Sequence, residues 1–256
     1  MPPQPAREPV PDTGAAPLLI ACALGIERFA LRGAGLGAAG SGVAAGPVTV
    51  LRTGMGPQAA ERAVSRALAE GPGRAVRTAV VATGFCAGLA PGMHPGDLVV
   101  ADETRDPAGH TPCHGSRTLA EALARHARRA RGGAGRTGTG TVHIGPLVGS
   151  NHVVRGAERA ELHATGAIAV DMESAATLRS AVRGGARPVA AVRVIVDAPE
   201  HELVRIGTLR GGISAFRVLR TVLPAFFDWH RSSFLSGDEL DGHAAPPDHP
   251  GRDVSL

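Results

Sequence analysis

Along the chain, short unbroken apolar runs alternate with longer stretches in which apolar residues recur every three or four positions, and each pattern predicts a different element. The unbroken runs predict strands near 17–24 ("PLLIACAL"), 47–53 ("PVTVLRT"), 78–84 ("TAVVATG"), 97–101 ("DLVVA"), 141–148 ("TVHIGPLV"), 166–171 ("GAIAVD") and 188–197 ("PVAAVRVIVD"). Strands without polar alternation belong to a sheet covered on both faces. Helices are expected near 57–70, 116–131, 172–183 and 212–230. Interleaved in this order, the elements make an α/β chain, and 256 residues with 43% hydrophobic content can fill one large domain.

The two ends depart from this pattern. Residues 1–16 are rich in Pro and carry both charge signs, and 236–256 ("SGDELDGHAAPPDHPGRDVSL") hold little to bury, so both are expected to be disordered around a domain at 17–235. Gly-rich 32–46 and 131–140 read as flexible connections. Four of the six Phe and the single Trp fall within 211–234, which predicts a helix packed on the sheet or on a second subunit, kinked at Pro224. The sharper alternative for that segment is a surface that meets lipid.

Charge and cysteine usage narrow the setting. The net charge is only +4, and all 27 basic residues are Arg, spread thinly, so no nucleic-acid partner is expected. Cys22, Cys86 and Cys113 form no CxxC pair, which fits a reducing cytoplasm. "APLLIACALGI" is too short to span a bilayer and is followed at once by charge. In "HTPCH", His110, Cys113 and His114 lack the further ligand a metal would need, so no metal is expected.

Candidate chemistry gathers where strands end. "RTGMGPQAAERAV" passes from a strand through Gly54 and Gly56 to a helix opening at Pro57, and backbone N–H groups at such a start can meet an anion or a sugar hydroxyl. "VVATGFCAGLAPGMHPGDLVVADE" bends at Gly84 and Phe85, where open α/β sheets bind small ligands. "VDMESAA" puts Glu173 at a helix start, and "VRVIVDAP" ends a strand at Asp197. An acid that stays ionised and one that partial burial leaves protonated are what cleaving a glycosidic bond requires. Glu173 would hold sugar hydroxyls, Asp197 would protonate the departing base, and Asp171 reads as structural.

"TGMG", "TGFCAGLAPGMHPGDLVVADE", "VDMESAA" and "VRVIVDAP", in that order over about residues 17–230, resemble the nucleoside phosphorylase superfamily. The resemblance implies a single three-layer α/β/α domain with a mixed central sheet, usually in a homo-oligomer. It implies that Met172 and Glu173 bind ribose, that Asp197 assists protonation of purine N7, and that Glu27 in "GIERFALR" orients an attacking water. Ser150, Asn151 and His152 would stand beside the purine, with Gly84 and Phe85. Gly54, Gly56 and Arg52 would form the phosphate or nucleophile site, while Arg193 reads better as a salt-bridge partner.

Within the superfamily, "GMGPQAAERA" and "VRVIVDAPEHELV" look most like the hopanoid-associated phosphorylases. That likeness implies release of adenine from adenosylhopane, a lipid-linked nucleoside, and allows peripheral membrane contact. A methylthioadenosine/S-adenosylhomocysteine nucleosidase is the alternative, and a non-catalytic nucleoside- or lipid-binding module the second. No cofactor is expected beyond inorganic phosphate as a co-substrate. Ser commonly stands in the family where this chain has Phe85 and Val196, and phosphorylases carry an Arg where it has "VVAT". Hydrolysis and phosphorolysis both stay open.

Overall fold

The computed structural model describes residues 16–33, 47–70, 78–131, 140–198 and 216–235. The expected disorder at both ends, most of both Gly-rich connections and the start of the helix expected from 212 lie outside the described residues. The strands are β1 (Leu18–Cys22), β2 (Val48–Arg52), β3 (Ala79–Gly88), β4 (Leu98–Asp106), β5 (Gly109–Pro112), β6 (Val142–Gly149), β7 (Ala169–Asp171) and β8 (Val189–Asp197). The helices are α1 (Gly25–Gly33), α2 (Pro57–Glu70), α3 (Ser116–Arg131), α4 (Ala157–Ala164), α5 (Ser174–Arg183) and α6 (Leu223–Leu235), preceded by helical residues 216–221.

The strands form one mixed sheet. Strands β2, β1 and β3 run parallel, and β3 continues into β8, also parallel. Then β8 pairs antiparallel with β4, β4 parallel with β6, and β6 parallel with β7. The tip of β3 meets β7 antiparallel at Ala87 and Gly88, so β3, β8, β4, β6 and β7 close into a ring.

Alternation of side chains across a strand explains why the runs are apolar throughout. On β1, Leu18, Ile20 and Cys22 join one core with Trp229 and Phe226 of α6, while Leu19 and Ala21 join a second core with Val64 of α2 and Leu178 of α5. Helices therefore cover both faces, and the expected three-layer architecture is the one present. Helix α2 meets its core through Ala60, Val64 and Leu68, a stripe repeating every four residues.

Several boundaries differ from expectation. Strands β3 and β4 run on to Gly88 and Asp106, and β5, α1 and α4 are not among the expected elements. The aromatic segment is broken near 222, and Pro224 sits in the first turn of α6, where a missing N–H costs nothing. Phe226, Phe227 and Trp229 are fully buried, and Trp229 Nε1–H donates to the His114 carbonyl at 2.7 Å. Packing, not a lipid-facing surface, accounts for that segment. Among the described residues no helix is long and apolar enough to cross a membrane.

Candidate active site

The register of the ring brings the sequence-predicted acids together. Ala87 of β3 is paired with Asp197 on one side and Val170 on the other, so the end of β8 and the "VDME" junction flank a single strand tip. A cavity of about 260 Å³ opens there, with Glu27, Phe85, Met172, Glu173, Asp197 and Arg159 in its wall.

Asp171 and Glu173 divide the labour at the start of α5. The Ser174 N–H donates to both Asp171 carboxylate oxygens at 3.2 Å, so Asp171 closes the helix start. Glu173 occupies the N-cap position without capping. Its Oε1 instead accepts from the Gly56 N–H at 2.8 Å, across from the β2–α2 turn. That turn needs glycine, since Gly54 and Gly56 have φ of 84° and 87°.

Beneath both acids lies Arg193, 1% exposed. Its Nη2 pairs with Asp171 Oδ2 at 2.6 Å, Nε donates to Ser174 Oγ at 2.8 Å, and Nη1 donates to the Thr83 carbonyl at 3.0 Å. The salt-bridge reading of Arg193 and the structural reading of Asp171 both hold.

Glu27, 2% exposed, comes from the first turn of α1. Its Oε2 accepts from the Leu24 N–H at 2.8 Å and its Oε1 from the Phe85 N–H at 3.1 Å. Only glycine fits opposite: a Cβ on Gly84 would stand 2.5 Å from both Glu27 Oε1 and Arg193 Nη1. Burial pushes the Glu27 carboxyl above the usual range, against the pull of Arg193 and of peptide N–H groups. Burial also pushes Glu173 up, again against Arg193.

Asp197, the acid expected to protonate the base, is ion-paired through Oδ2 with Arg159 Nη2 of α4. Burial drives Glu27 and Glu173 toward the protonated form. Arg159 was not among the candidates, because α4 carries no motif and only the ring closure sets it against β8.

The other candidates scatter. Ser150, Asn151 and His152 form a hydrogen-bonded cluster, with Ser150 Oγ 3.1 Å from the His152 N–H and His152 Nε2 2.9 Å from Glu158 Oε1. They line a neighbouring cavity of about 430 Å³, and His152 and Met172 border both cavities. Arg52 is exposed on β2 and lines neither cavity, so it is not brought to the nucleophile side. Cys86 does line the smaller cavity, but burial pushes its thiol well up, leaving it a packing group. Among the described residues no group of three or more His, Cys, Asp or Glu side chains is arranged to hold a metal.

The fold is shared with solved nucleosidases. The methylthioadenosine/S-adenosylhomocysteine nucleosidase of Neisseria meningitidis, solved with methylthio-immucillin-A, is 20% identical, with 83% of this chain and 99% of that one covered at a TM-score of 0.64. The S-adenosylhomocysteine nucleosidase of Streptococcus pyogenes, solved with 5-methylthiotubericidin, is 17% identical, with coverages of 84% and 97% and a TM-score of 0.63. That of Colwellia psychrerythraea, solved with adenine, is 15% identical, with coverages of 83% and 96% and a TM-score of 0.59. No curated protein sequence matches the chain. The model of the phosphorylase superfamily matches residues 14–223, and the chain belongs to that superfamily. The expected nucleosidase or nucleoside phosphorylase activity stands with it.

Proposed function

We propose that the chain hydrolyses the N-glycosidic bond of an adenine nucleoside bearing a 5′ thioether, as a methylthioadenosine/S-adenosylhomocysteine nucleosidase does. The observation that carries this reading is the state of the nucleophile side. Glu27 is a carboxyl in the cavity wall whose pKa burial raises, which suits taking a proton from water.

A phosphate would fare badly in the same place. The Gly56 N–H is committed to Glu173, all three Arg193 nitrogens are spent on Thr83, Ser174 and Asp171, and Arg52 lies outside the cavity.

In the proposed reaction Glu173 holds the ribose hydroxyls while the C1′–N9 bond lengthens and positive charge grows on the sugar. Water then bonds to C1′ and gives its proton to Glu27, while the departing adenine takes the C1′–N9 electrons and gains one proton on the Asp197 side of the cavity. Met55 and Val153, both exposed in the cavity wall, offer apolar contact to a 5′ substituent. The adenosylhopane reading rests on the likeness of "GMGPQAAERA" and "VRVIVDAPEHELV", and the thioether reading is supported by neighbours solved with methylthio nucleoside analogues. Exposed Ile26 and Phe29 on α1, beside Glu27, support the expected homo-oligomer.

The test is adenine release from methylthioadenosine, S-adenosylhomocysteine and adenosylhopane, each with and without phosphate. Release from the two thioethers at a rate independent of phosphate, with free sugar as product, is expected. A sugar 1-phosphate product would overturn hydrolysis, and binding without turnover would favour a silent module.

A further inference from the structure

We propose that the outer face of α3 and of helical residues 216–221 is a docking surface for an anionic lipid bilayer, held at headgroup level by arginines. The inference does not depend on the nucleosidase reading.

Thinly spread along the sequence, the basic residues are gathered by the fold. Helix α3 buries Leu119, Ala122, Leu123 and Ala127, and at about 100° of turn per residue Arg117, Arg125, Arg128 and Arg129 fall together on the opposite arc. All four are exposed. Arg217 and Arg220, three residues apart on the other helical piece, are exposed as well. Leu119 and Leu123 share one core with Val218 and Leu219, so the two outer faces belong to the same layer of the molecule.

Little on these elements balances that charge. Among the described residues of α3 and of 216–235 the acids are Glu121 and Asp228, and Asp228 is already engaged by His126 Nε2 at 2.9 Å, by Arg231 and, at 3.8 Å, by Arg125. Arg117, Arg128, Arg129 and Arg217 have no carboxylate partner among the described residues. The opposite layer is built the other way, with Arg183 of α5 paired to Glu61 of α2 and Arg179 to Asp106. Positive charge is left over on one side only.

The chemistry of this face selects the partner. Guanidinium forks match phosphate and carboxylate oxygens, and several on one broad face suit a surface that carries many such groups. Single-stranded nucleic acid would need exposed aromatic rings for its bases. Phe226, Phe227 and Trp229 are buried, and Phe216 is stacked on Phe29. Laid against the core along its buried stripe, α3 does not project as an element that enters a duplex groove. No large apolar side chain is exposed on α3 or on the described residues of 216–235, so contact is by charge and without insertion.

The experiment is co-sedimentation of the full chain with vesicles of phosphatidylcholine alone and of phosphatidylcholine mixed with phosphatidylserine, at low and at high salt. Single-stranded RNA and duplex DNA are tested alongside by fluorescence anisotropy. Retention on the mixed vesicles only, lost at high salt, is expected. Each arginine at an anionic surface strengthens binding by about 5-fold, so Arg128→Gln with Arg129→Gln should weaken it by about 25-fold. Arg128→Lys with Arg129→Lys keeps the charge and should keep the binding. Arg62→Gln with Arg66→Gln makes the same change of charge on the exposed side of α2 and should alter it little. None of these side chains lines the reaction cavity, so adenine release from a soluble nucleoside should be unchanged in all three.

Equal retention on neutral vesicles, or none on the mixed ones, would overturn the proposal. So would an equal loss in the α2 pair, a loss in the Lys pair as large as in the Gln pair, or binding of RNA or DNA in place of vesicles. Vesicle retention without adenine release in any form would leave the docking face standing and sink the nucleosidase reading instead.

Discussion

Two arginine–aspartate pairs border the cavity, and they are built differently. In Arg193–Asp171 the side chains are 2% and 0% exposed, and each nitrogen of the guanidinium has a protein partner. In Arg159–Asp197 they are 7% and 16% exposed, and one nitrogen and one oxygen are left open. The first pair is finished before any ligand arrives: it balances Glu27 and Glu173 and fixes the start of α5. The second is less buried, and among the described residues it is only partly satisfied.

The sharpest way to break the comparison is to remove the nucleophile side's base. Glu27→Gln keeps one oxygen, which can accept from either the Leu24 or the Phe85 N–H but not both, and cannot take a proton. It should lower kcat by about 10²–10⁴ while leaving adenine affinity nearly unchanged. Steady-state kinetics beside base-binding calorimetry reads both, and an equal loss in the two would mean that Glu27 serves the base pocket.

Next in size is the finished pair itself. Arg193→Met would leave Asp171 charged in a dry site and should cost about 3–5 kcal/mol of stability in denaturant unfolding. Adding Asp171→Leu should return much of that. Arg159→Ala, at the more open pair, should cost visibly less, and a loss as large as that of Arg193→Met would erase the distinction between the two.

How much of this is legible in the sequence depends on whether a feature is local. The apolar runs of β1, β3 and β8 announce a sheet covered on both faces, and the strand-to-helix junctions announce Glu173 and Asp197. The resemblance adds Glu27. Arg159 is silent because its place beside β8 arises only when β3 meets β7 and closes the ring, a pairing of distant segments with no periodic trace. Partial burial of Asp197 can be guessed from flanking Val196 and Ala198, but the arginine paired with it cannot.

A smaller perturbation tests the close approach that the nucleophile side demands. In Gly84→Ala the new methyl would stand 2.5 Å from Glu27 Oε1 and from Arg193 Nη1, both held by hydrogen bonds, at a backbone φ of 140°. Overpacking of this kind should cost about 1–3 kcal/mol. A displacement near 1 Å at Glu27 should lower kcat by about 10²-fold. Thermal unfolding and initial rates check the two, with adenine binding expected to change little.

The smallest effect separates the two sides by pH. Burial raises the Glu27 carboxyl in the folded chain above its unfolded value, so between those two values the native state holds more protons than the unfolded one. Stability drawn from this group then falls as pH rises through that window and stays lowered above it. Relative to wild type, Glu27→Gln should accordingly gain stability between pH 4 and pH 8, by on the order of 2–4 °C if the relief is about 1 kcal/mol, on top of a pH-independent cost for the N–H that loses its acceptor. Activity runs the opposite way, failing as pH drops through the raised value because the base becomes protonated. Melting curves at pH 4 and pH 8 decide the matter: a difference between variant and wild type that does not move in the variant's favour across that range would mean that Arg193 outweighs burial at Glu27.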